Sequence, residues 1–415
     1  MLSRRTLLKS LPLTAAAVAV SPAAAQATPP TPSPGVLTAN SVRQFTVDLY
    51  RSLQVGRTGT NLVFAPYSIV NALAMTRAGA RRTTATEMDT VLHAPLPRPR
   101  TLDEGLRSIE LNLAQYRTGD GVERPLLSTA NAVWTRLGLT LRSAYQATLA
   151  DYYGAGTHPV DFGAAPESAR QEINAWVSQR TNTKIPELLP VGVVDSATSL
   201  VLTNATYLRA PWRYPFIASA TAAAPFTRDD GQVVSAQMMR GPFDEMGYVE
   251  GNGYRAVNVP YKNSLLSMAV VLPTQGTLAD LEARLTSTLL SDLLTRFTNA
   301  TVQLRLPKWT FRVPASLGDL LSGLGMPTAF TDGADFTGIT RDQPRLKIAD
   351  VVHETFIGVD EKGTEAAAAT GVIVRPPSIP SGPLFVADRP FLFVIHERST
   401  GVPLFIGRVL DPTAS

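Results

Sequence analysis

Apolar positions recur at helical spacing through most of the first half of the chain and at strand spacing through most of the second. Val42, Phe45, Thr46, Leu49 and Leu53 share one face of a helix, with order beginning near Ser41. Pro66 suits the first turn of a helix that runs through Met75 and Thr76 and ends at Gly79. Thr84 with Glu87 has capping-box spacing before a short helix to Leu92. Thr101 with Glu104 has it before a face of Leu102, Leu106, Ile109 and Leu113. Further helices are predicted over 143–153, stopping at Gly154, and from Pro166, with Ile173, Trp176 and Val177 on one face. Residues 278–297 read as one long amphipathic helix, and 316–324 as a short one stopping at Gly325.

Strand patterns cover 128–135, 199–208 and the nearly continuous apolar run 265–272, which reads as a central strand. Val302, Leu304 and Leu306 alternate, as do 351–359, 391–395 and 404–409. Asp229-Asp230-Gly231 and Glu250-Gly251-Asn252-Gly253 are turn signals between strands. With helices mostly first and strands mostly later, and no internal repeat, the pattern predicts one large α+β domain over 41–415.

Composition narrows the class. The 415 residues are 44% hydrophobic and 17% charged, which supports a large core and excludes global disorder. The body of the chain has no apolar run long enough for a transmembrane helix. Ser3-Arg4-Arg5-Thr6-Leu7-Leu8-Lys9 resembles a twin-arginine export signal. A short apolar stretch over 11–20 and the A-x-A site Ala25-Gln26-Ala27 follow it. The competing reading, a basic membrane-anchored N-terminus, is disfavoured by the shortness of that stretch and by Pro12. Residues 1–27 are therefore expected to be a signal peptide, and the Pro-rich 28–40 a disordered tether. The mature protein is expected to be exported, periplasmic or extracellular, with no membrane attachment. Removing Arg4, Arg5 and Lys9 from the 38 basic side chains leaves 35 against 34 acidic ones, a net charge of +1. That balance gives no electrostatic support for nucleic-acid binding. The absence of cysteine removes disulfides, thiol nucleophiles and thiolate metal sites together.

Enzyme signatures are missing. The four histidines, His93, His158, His353 and His396, show no H-E-x-x-H or metal-ligand spacing. There is no G-x-S-x-G elbow and no S-x-x-K motif. Gly251-Asn252-Gly253-Tyr254-Arg255-Ala256 resembles a dinucleotide fingerprint only in outline, because it lies in a hairpin turn. No metal and no cofactor are expected.

Nine motifs, in order, carry a resemblance to one family. They are Asn61-Leu62-Val63-Phe64-Ala65-Pro66-Tyr67-Ser68; Asn131-Ala132-Val133-Trp134; Tyr152-Tyr153-Gly154-Ala155 through Val160-Asp161-Phe162; Ile173-Asn174-Ala175-Trp176-Val177; Thr181-Asn182-Thr183-Lys184-Ile185; Leu202-Thr203-Asn204-Ala205-Thr206-Tyr207; Pro307-Lys308-Trp309; Val352-His353; and the stretch from Glu361 to Thr370. Spread over roughly 370 residues, this set resembles the serpins. The resemblance implies three β-sheets, eight or nine helices and an exposed reactive-centre loop, here about 361–387. It also implies a monomeric suicide inhibitor rather than an enzyme. A serine protease cleaves the loop and becomes acylated, and the loop then inserts as a new strand and traps the covalent complex. Loop insertion in this family is a known case of strand addition driven by stored strain.

The residues of the loop fit that role physically. Ala366, Ala367, Ala368 and Ala369 could start a helix by propensity, but Gly371 and the β-branched run to Val374 could not continue it well. As a strand, one face carries Thr364, Ala366, Ala368, Thr370, Val372 and Val374, and the other carries Glu365, Ala367, Ala369, Gly371 and Ile373. No proline interrupts 361–374, so every backbone donor can join a ladder. At roughly 0.5–1.5 kcal/mol per bond, some ten new bonds would contribute on the order of 10 kcal/mol. Gly363 is expected to give freedom at the bend. Glu361, Gly363, Thr364, Glu365 and the four alanines match the family's inhibitory hinge.

The resemblance counts the bait bond to Pro377–Ser378. Arg375–Pro376 and Pro376–Pro377 are both poor bonds for most serine proteases, but the loop is about two residues longer than common. Ser378–Ile379 and Val374–Arg375 therefore stay open. By the same resemblance Ser68, Asn204, His353 and Trp212 mark where the main sheet opens. Ala65 replaces the usual serine, which leaves one hydrogen bond of that cluster unassigned, and Glu354 and Gly358 also depart from the common pattern. Two other readings remain, a non-inhibitory serpin acting as a binding protein or chaperone and an unrelated exported hydrolase.

Overall fold

A computed structural model describes residues 32–96, 100–154, 156–342, 345–365 and 382–414. The described residues from 33 onward belong to one compact unit. Among the described residues the helices are α1 (Pro34–Val55), α2 (Pro66–Arg77), α3 (Arg82–Val91), α4 (Arg100–Leu113), α5 (Ser143–Thr148), α6 (Pro166–Arg180), α7 (Leu278–Ala283), α8 (Ser287–Thr295) and α9 (Gly318–Leu324). The strands are β1 (Leu62–Phe64), β2 (Leu126–Thr129), β3 (Ala132–Arg136), β4 (Thr157–Val160), β5 (Leu200–Pro211), β6 (Ala222–Thr227), β7 (Val233–Gly251), β8 (Tyr254–Pro260), β9 (Leu266–Pro273), β10 (Thr298–Pro307), β11 (Trp309–Ser316), β12 (Val351–Val359), β13 (Gly363–Thr364), β14 (Leu384–Val386), β15 (Phe391–Glu397) and β16 (Val402–Val409). The α+β expectation and the helix number both hold.

The strands form two hydrogen-bonded networks. One runs β11-β12-β13-β5-β3-β4 with β2 on β5; the other runs β1-β16-β15-β9-β8-β7-β10-β14 with β6 on β7. The expected three sheets take this form because β7 is 19 residues long and serves two of them. Its first part pairs with β6 and its end with β8, and β10 follows it across a register shift between Ala300 and Val302.

The inward faces of both networks share one core with the first two helices. Phe45, Leu49, Ile69, Leu73, Leu202, Val270, Ile357 and Phe393 all belong to it. A second, smaller core lies on the outer face of the β5–β12 sheet. There Ile173 and Val177 of α6 meet Trp134, Val201, Ala205 and Val352. β5 therefore alternates Leu200 and Leu202 inward with Val201 and Ala205 outward, buried on both sides.

Local expectations fail at several points. The 28–40 tether is too long: α1 begins at Pro34, with Gly35, Thr38 and Ala39 already buried. Proline at the first helical position, where no N–H is needed, lets the Pro-rich run start a helix. The predicted 278–297 helix is two helices, because the Thr286 hydroxyl accepts from Leu289 N–H and caps a second start. Neither early capping box forms. The Thr84 hydroxyl accepts from Asp335 N–H, and the Glu87 carboxylate accepts from the N–H and hydroxyl of Thr328. Thr101 lies within α4, and Glu104 pairs with Arg100. Long-range partners outcompete local ones in the first case.

One charged group is held deep between α7 and β16. The Arg408 guanidinium donates to Glu282 at 3.2 Å, and the Tyr50 hydroxyl donates to the same carboxylate at 2.6 Å. Both ionic side chains are under 8% exposed. Burial pushes the Glu282 carboxyl up, opposed by Tyr50 and Arg408. Replacing Arg408 with Met is expected to leave a buried carboxylate without its cation and to lower unfolding free energy by about 3–5 kcal/mol, read by urea denaturation.

Candidate functional site

The site is a seam in the seven-stranded sheet. β5 and β12 are parallel neighbours from Val351↔Leu202 to Thr355↔Thr206. Beyond that, among the described residues, they share no ladder pair until β13 lies between them. Gly363 and Thr364 pair antiparallel with Pro211 and Ala210, and Thr364 also pairs with Val359. Because β13 opposes both neighbours in direction, continuing it runs down the seam. The chain stops short of doing so. The Glu365 N–H still bonds Gly358 O at 2.8 Å, but its φ of +43° turns the backbone out of the sheet.

A turn presents this short strand. The Asp360 carboxylate accepts from Lys362 N–H at 2.8 Å and Gly363 N–H at 3.1 Å, closing an Asx turn. The Lys308 ammonium pairs with Glu361 at 2.9 Å. Gly363 is needed for a reason other than the expected one. Its φ is not positive; a Cβ there would lie 2.1 Å from Ala210 O, so only glycine lets β13 approach β5.

Side-chain parity at the hinge agrees with the expected alternation at both positions described. Thr364 faces inward, 2% exposed, with its hydroxyl 2.6 Å from Tyr261 Oη. Glu365 faces outward and pairs with Lys184. Ala366, Ala367, Ala368, Ala369, Pro377 and Ser378 lie outside the described residues.

Below the hinge, a buried polar chain crosses the seam. His353 Nε2 accepts from Ala65 N–H at 3.2 Å, which leaves the proton on Nδ1 to donate to Asn204 Oδ1 at 2.6 Å. Asn204 Nδ2 donates to Ser68 Oγ and Asn131 Oδ1, both at 2.8 Å, and the Ser68 hydroxyl donates to Asn131 Oδ1. The Thr355 hydroxyl sits 2.8 Å from His353 Nε2. Asn204 and His353 are register partners on β5 and β12, so their bond links the two strands across the seam. Ala65 takes part in this cluster through its backbone N–H.

Trp212 does not join that cluster. It follows the end of β5, eight residues from Asn204, about 26 Å at strand rise. Its indole donates to Asp360 O at 2.9 Å and stacks on Tyr261 at 4.7 Å, so it forms the floor of the hinge turn. Asn131, Thr355, Tyr261 and Lys184 were not singled out as site residues from sequence. Asn131 and Lys184 sit inside quoted motifs; Tyr261 and Thr355 carried no signal. Glu354 is buried on the outer face and pairs with Arg312 at 3.3 Å.

The comparisons with known proteins bear on this geometry. A family model described as Serpin (serine protease inhibitor) matches residues 40–412. The chain is a serpin. An uncharacterized serpin-like protein of Thermococcus kodakarensis is 36% identical over 376 residues, covering 90% of this chain and 85% of that one. The leukocyte elastase inhibitor of Bos taurus is 34% identical, covering 89% of this chain and 98% of that one. Human thyroxine-binding globulin in complex with its ligand has the same fold, with a TM-score of 0.80 and 28% identity over 92% of this chain and 100% of that chain. Serpins thus include inhibitors and ligand-binding proteins, and they are not catalysts.

Two buried histidines, His353 in the seam and His396 on β15, give the fold a pH signature. Burial holds His353 neutral, with its pKa lowered to about 3, and burial does the same to His396 beside Asn258. Unfolded histidine titrates near 6.5, so below that value the unfolded chain takes up protons that the native chain refuses. Stability is expected to be flat above pH 7 and to fall from pH 6.5 to 5, by up to about 1.4 kcal/mol per pH unit for each histidine. Urea midpoints across that range check it, and His353→Asn is expected to flatten part of the slope.

Proposed function

We propose that this serpin inhibits serine-type endopeptidases by a suicide mechanism, with insertion of 363–374 between β5 and β12 as its driving step. The observation that carries the proposal is the placement of Gly363 and Thr364 at the top of the seam, already paired on both sides and followed in sequence by four alanines. Small side chains are what the seam admits. The inward positions meet the Tyr261 and His353 side, and the outward ones pass under the segment that follows α6. The leukocyte elastase inhibitor likeness supports the same reading.

The bait bond is Pro377–Ser378. The protease serine oxygen attacks the Pro377 carbonyl carbon, the bond to the Ser378 nitrogen breaks, and that nitrogen leaves as an amine. The Pro377 carbonyl stays esterified to the protease. Insertion then carries the acyl-enzyme away from its loop-bound geometry before water can cleave the ester. An elastase- or subtilisin-like protease, preferring small or apolar residues, is the favoured target. The protein acts as an exported monomer, residues 1–27 serving as its signal peptide.

The likeness to thyroxine-binding globulin favours a second reading, a ligand-binding serpin whose loop is cleaved without trapping. A panel of serine proteases separates the two. Inhibition is expected to give a complex that survives SDS, with the protease joined at Pro377; simple cleavage by every protease would overturn it. Thr364→Arg puts a long cation on the face that must slide under the sheet, and is expected to convert the inhibitor into a substrate. Complex formation by that variant at undiminished yield would overturn the hinge assignment.

A further inference from the structure

The segment that leaves α6 is a strap across the seam. Ile185, Leu188 and Leu189 pack on the outer face together with Ala205 of β5 and Val352 of β12, one residue on each edge that must part. A strand inserting between those edges has to pass beneath this segment. Among the described residues, the start of the strap is tied to the hinge by the ion pair of Lys184 with Glu365. We propose that Lys184 is a positioning residue for insertion: it clasps the hinge to the strap, and the loop advances only when the clasp opens. This rests on the loop-insertion reading above.

Lys184 is held from several sides. Its carbonyl accepts from Arg312 of β11 at 2.8 Å. The Thr181 hydroxyl donates to Val177 O at 2.8 Å and accepts from Ile185 N–H at 3.2 Å, fixing the turn around it. The ammonium lies 5.5 Å from the Phe356 ring centroid, and the Arg312 guanidinium lies 5.9 Å from the same ring. Phe356 belongs to β12, so the lysine rests directly on one edge of the seam.

Left-handed backbone lies next to Lys184 and on Glu365 itself. Asn182 and Thr183, just before Lys184, have φ of +50° and +61°, and Glu365 has φ of +43°. Left-handed values are uncommon for residues other than glycine and are outliers for a β-branched residue such as Thr183. If Glu365 joins β13 as a regular strand residue, its φ must move to about −140°. The same residue must therefore change its backbone and give up or re-form its ion pair in one step. By contrast, Lys308–Glu361 lies in the turn before β13 and has no need to open.

The clasp is built to release. Among the described residues, one Glu365 carboxylate oxygen is buried without a hydrogen-bond partner, and the side chain is only 16% exposed. Burial raises the Glu365 carboxyl pKa, opposed by Lys184 and Arg209. A carboxylate satisfied on one side only holds the hinge in place without locking it.

The test uses the full mature chain carrying Lys184→Met, Glu365→Gln, both together, or Lys184→Arg. The loop is cut with saturating protease in a stopped-flow instrument, and tryptophan fluorescence follows insertion, Trp212 lying under the hinge. Each variant is measured at the same interval below its own melting temperature. A merely structural pair would then leave the rates equal. The clasp predicts insertion faster by about two- to fivefold for each single variant, the range a part-exposed ion pair supports. It also predicts no further gain in the double variant, and the wild-type rate with Lys184→Arg. Equal rates throughout, or single effects that multiply in the double variant, overturn the clasp while leaving insertion intact. A wild type that gains no thermal stability on cleavage overturns both.

Discussion

Everything specific to this protein depends on one weak join. β5 and β12 are held together by five register pairs and one buried bond between Asn204 and His353. Strands in the middle of a large sheet ordinarily pair along their whole length, because an unpaired buried backbone group is costly. Here, among the described residues, the direct pairing ends at Thr355 and Thr206, and β13 lies at the top of the seam. On the proposed reading, the chain that follows β13 completes this seam as one antiparallel strand.

The surroundings serve this join in different ways. The inner side carries the polar chain Ser68–Asn131–Asn204–His353, which registers the two edges and is buried except at the half-buried Asn131. The outer side carries α6 and its trailing strap, which covers the seam with Ile185, Leu188 and Leu189. The hinge floor is aromatic: Trp212 stacked on Tyr261, with Tyr261 touching Thr364. Restraint thus comes from polar bonds below, apolar cover above and a single ion pair at the leading residue.

Much of this was legible in the sequence. Alternation placed the strands, and the ordered motifs identified the family and marked where its hinge is expected. The parity of Thr364 and Glu365 follows from strand geometry alone. What could not be read was long-range partnership. Glu87 had capping-box spacing but bonds Thr328, 241 positions away. Gly363 looked like a flexible bend and is instead a contact point with Ala210. Trp212 was grouped with His353 by family pattern, yet it sits at the far end of β5. Lys184 sits in a recognisable motif, but no local spacing links it to Glu365. Such pairs exist only once distant strands are laid side by side.

The most direct measurement is thermal unfolding before and after the loop is cut once near Pro377. Completing the sheet adds some ten ladder bonds, on the order of 10 kcal/mol, which at roughly 2 °C per kcal/mol for a large domain raises the melting temperature by about 20 °C. A melting temperature that stays where it was after clean single cleavage would mean that the seam does not accept the loop, and the account would be wrong at its centre.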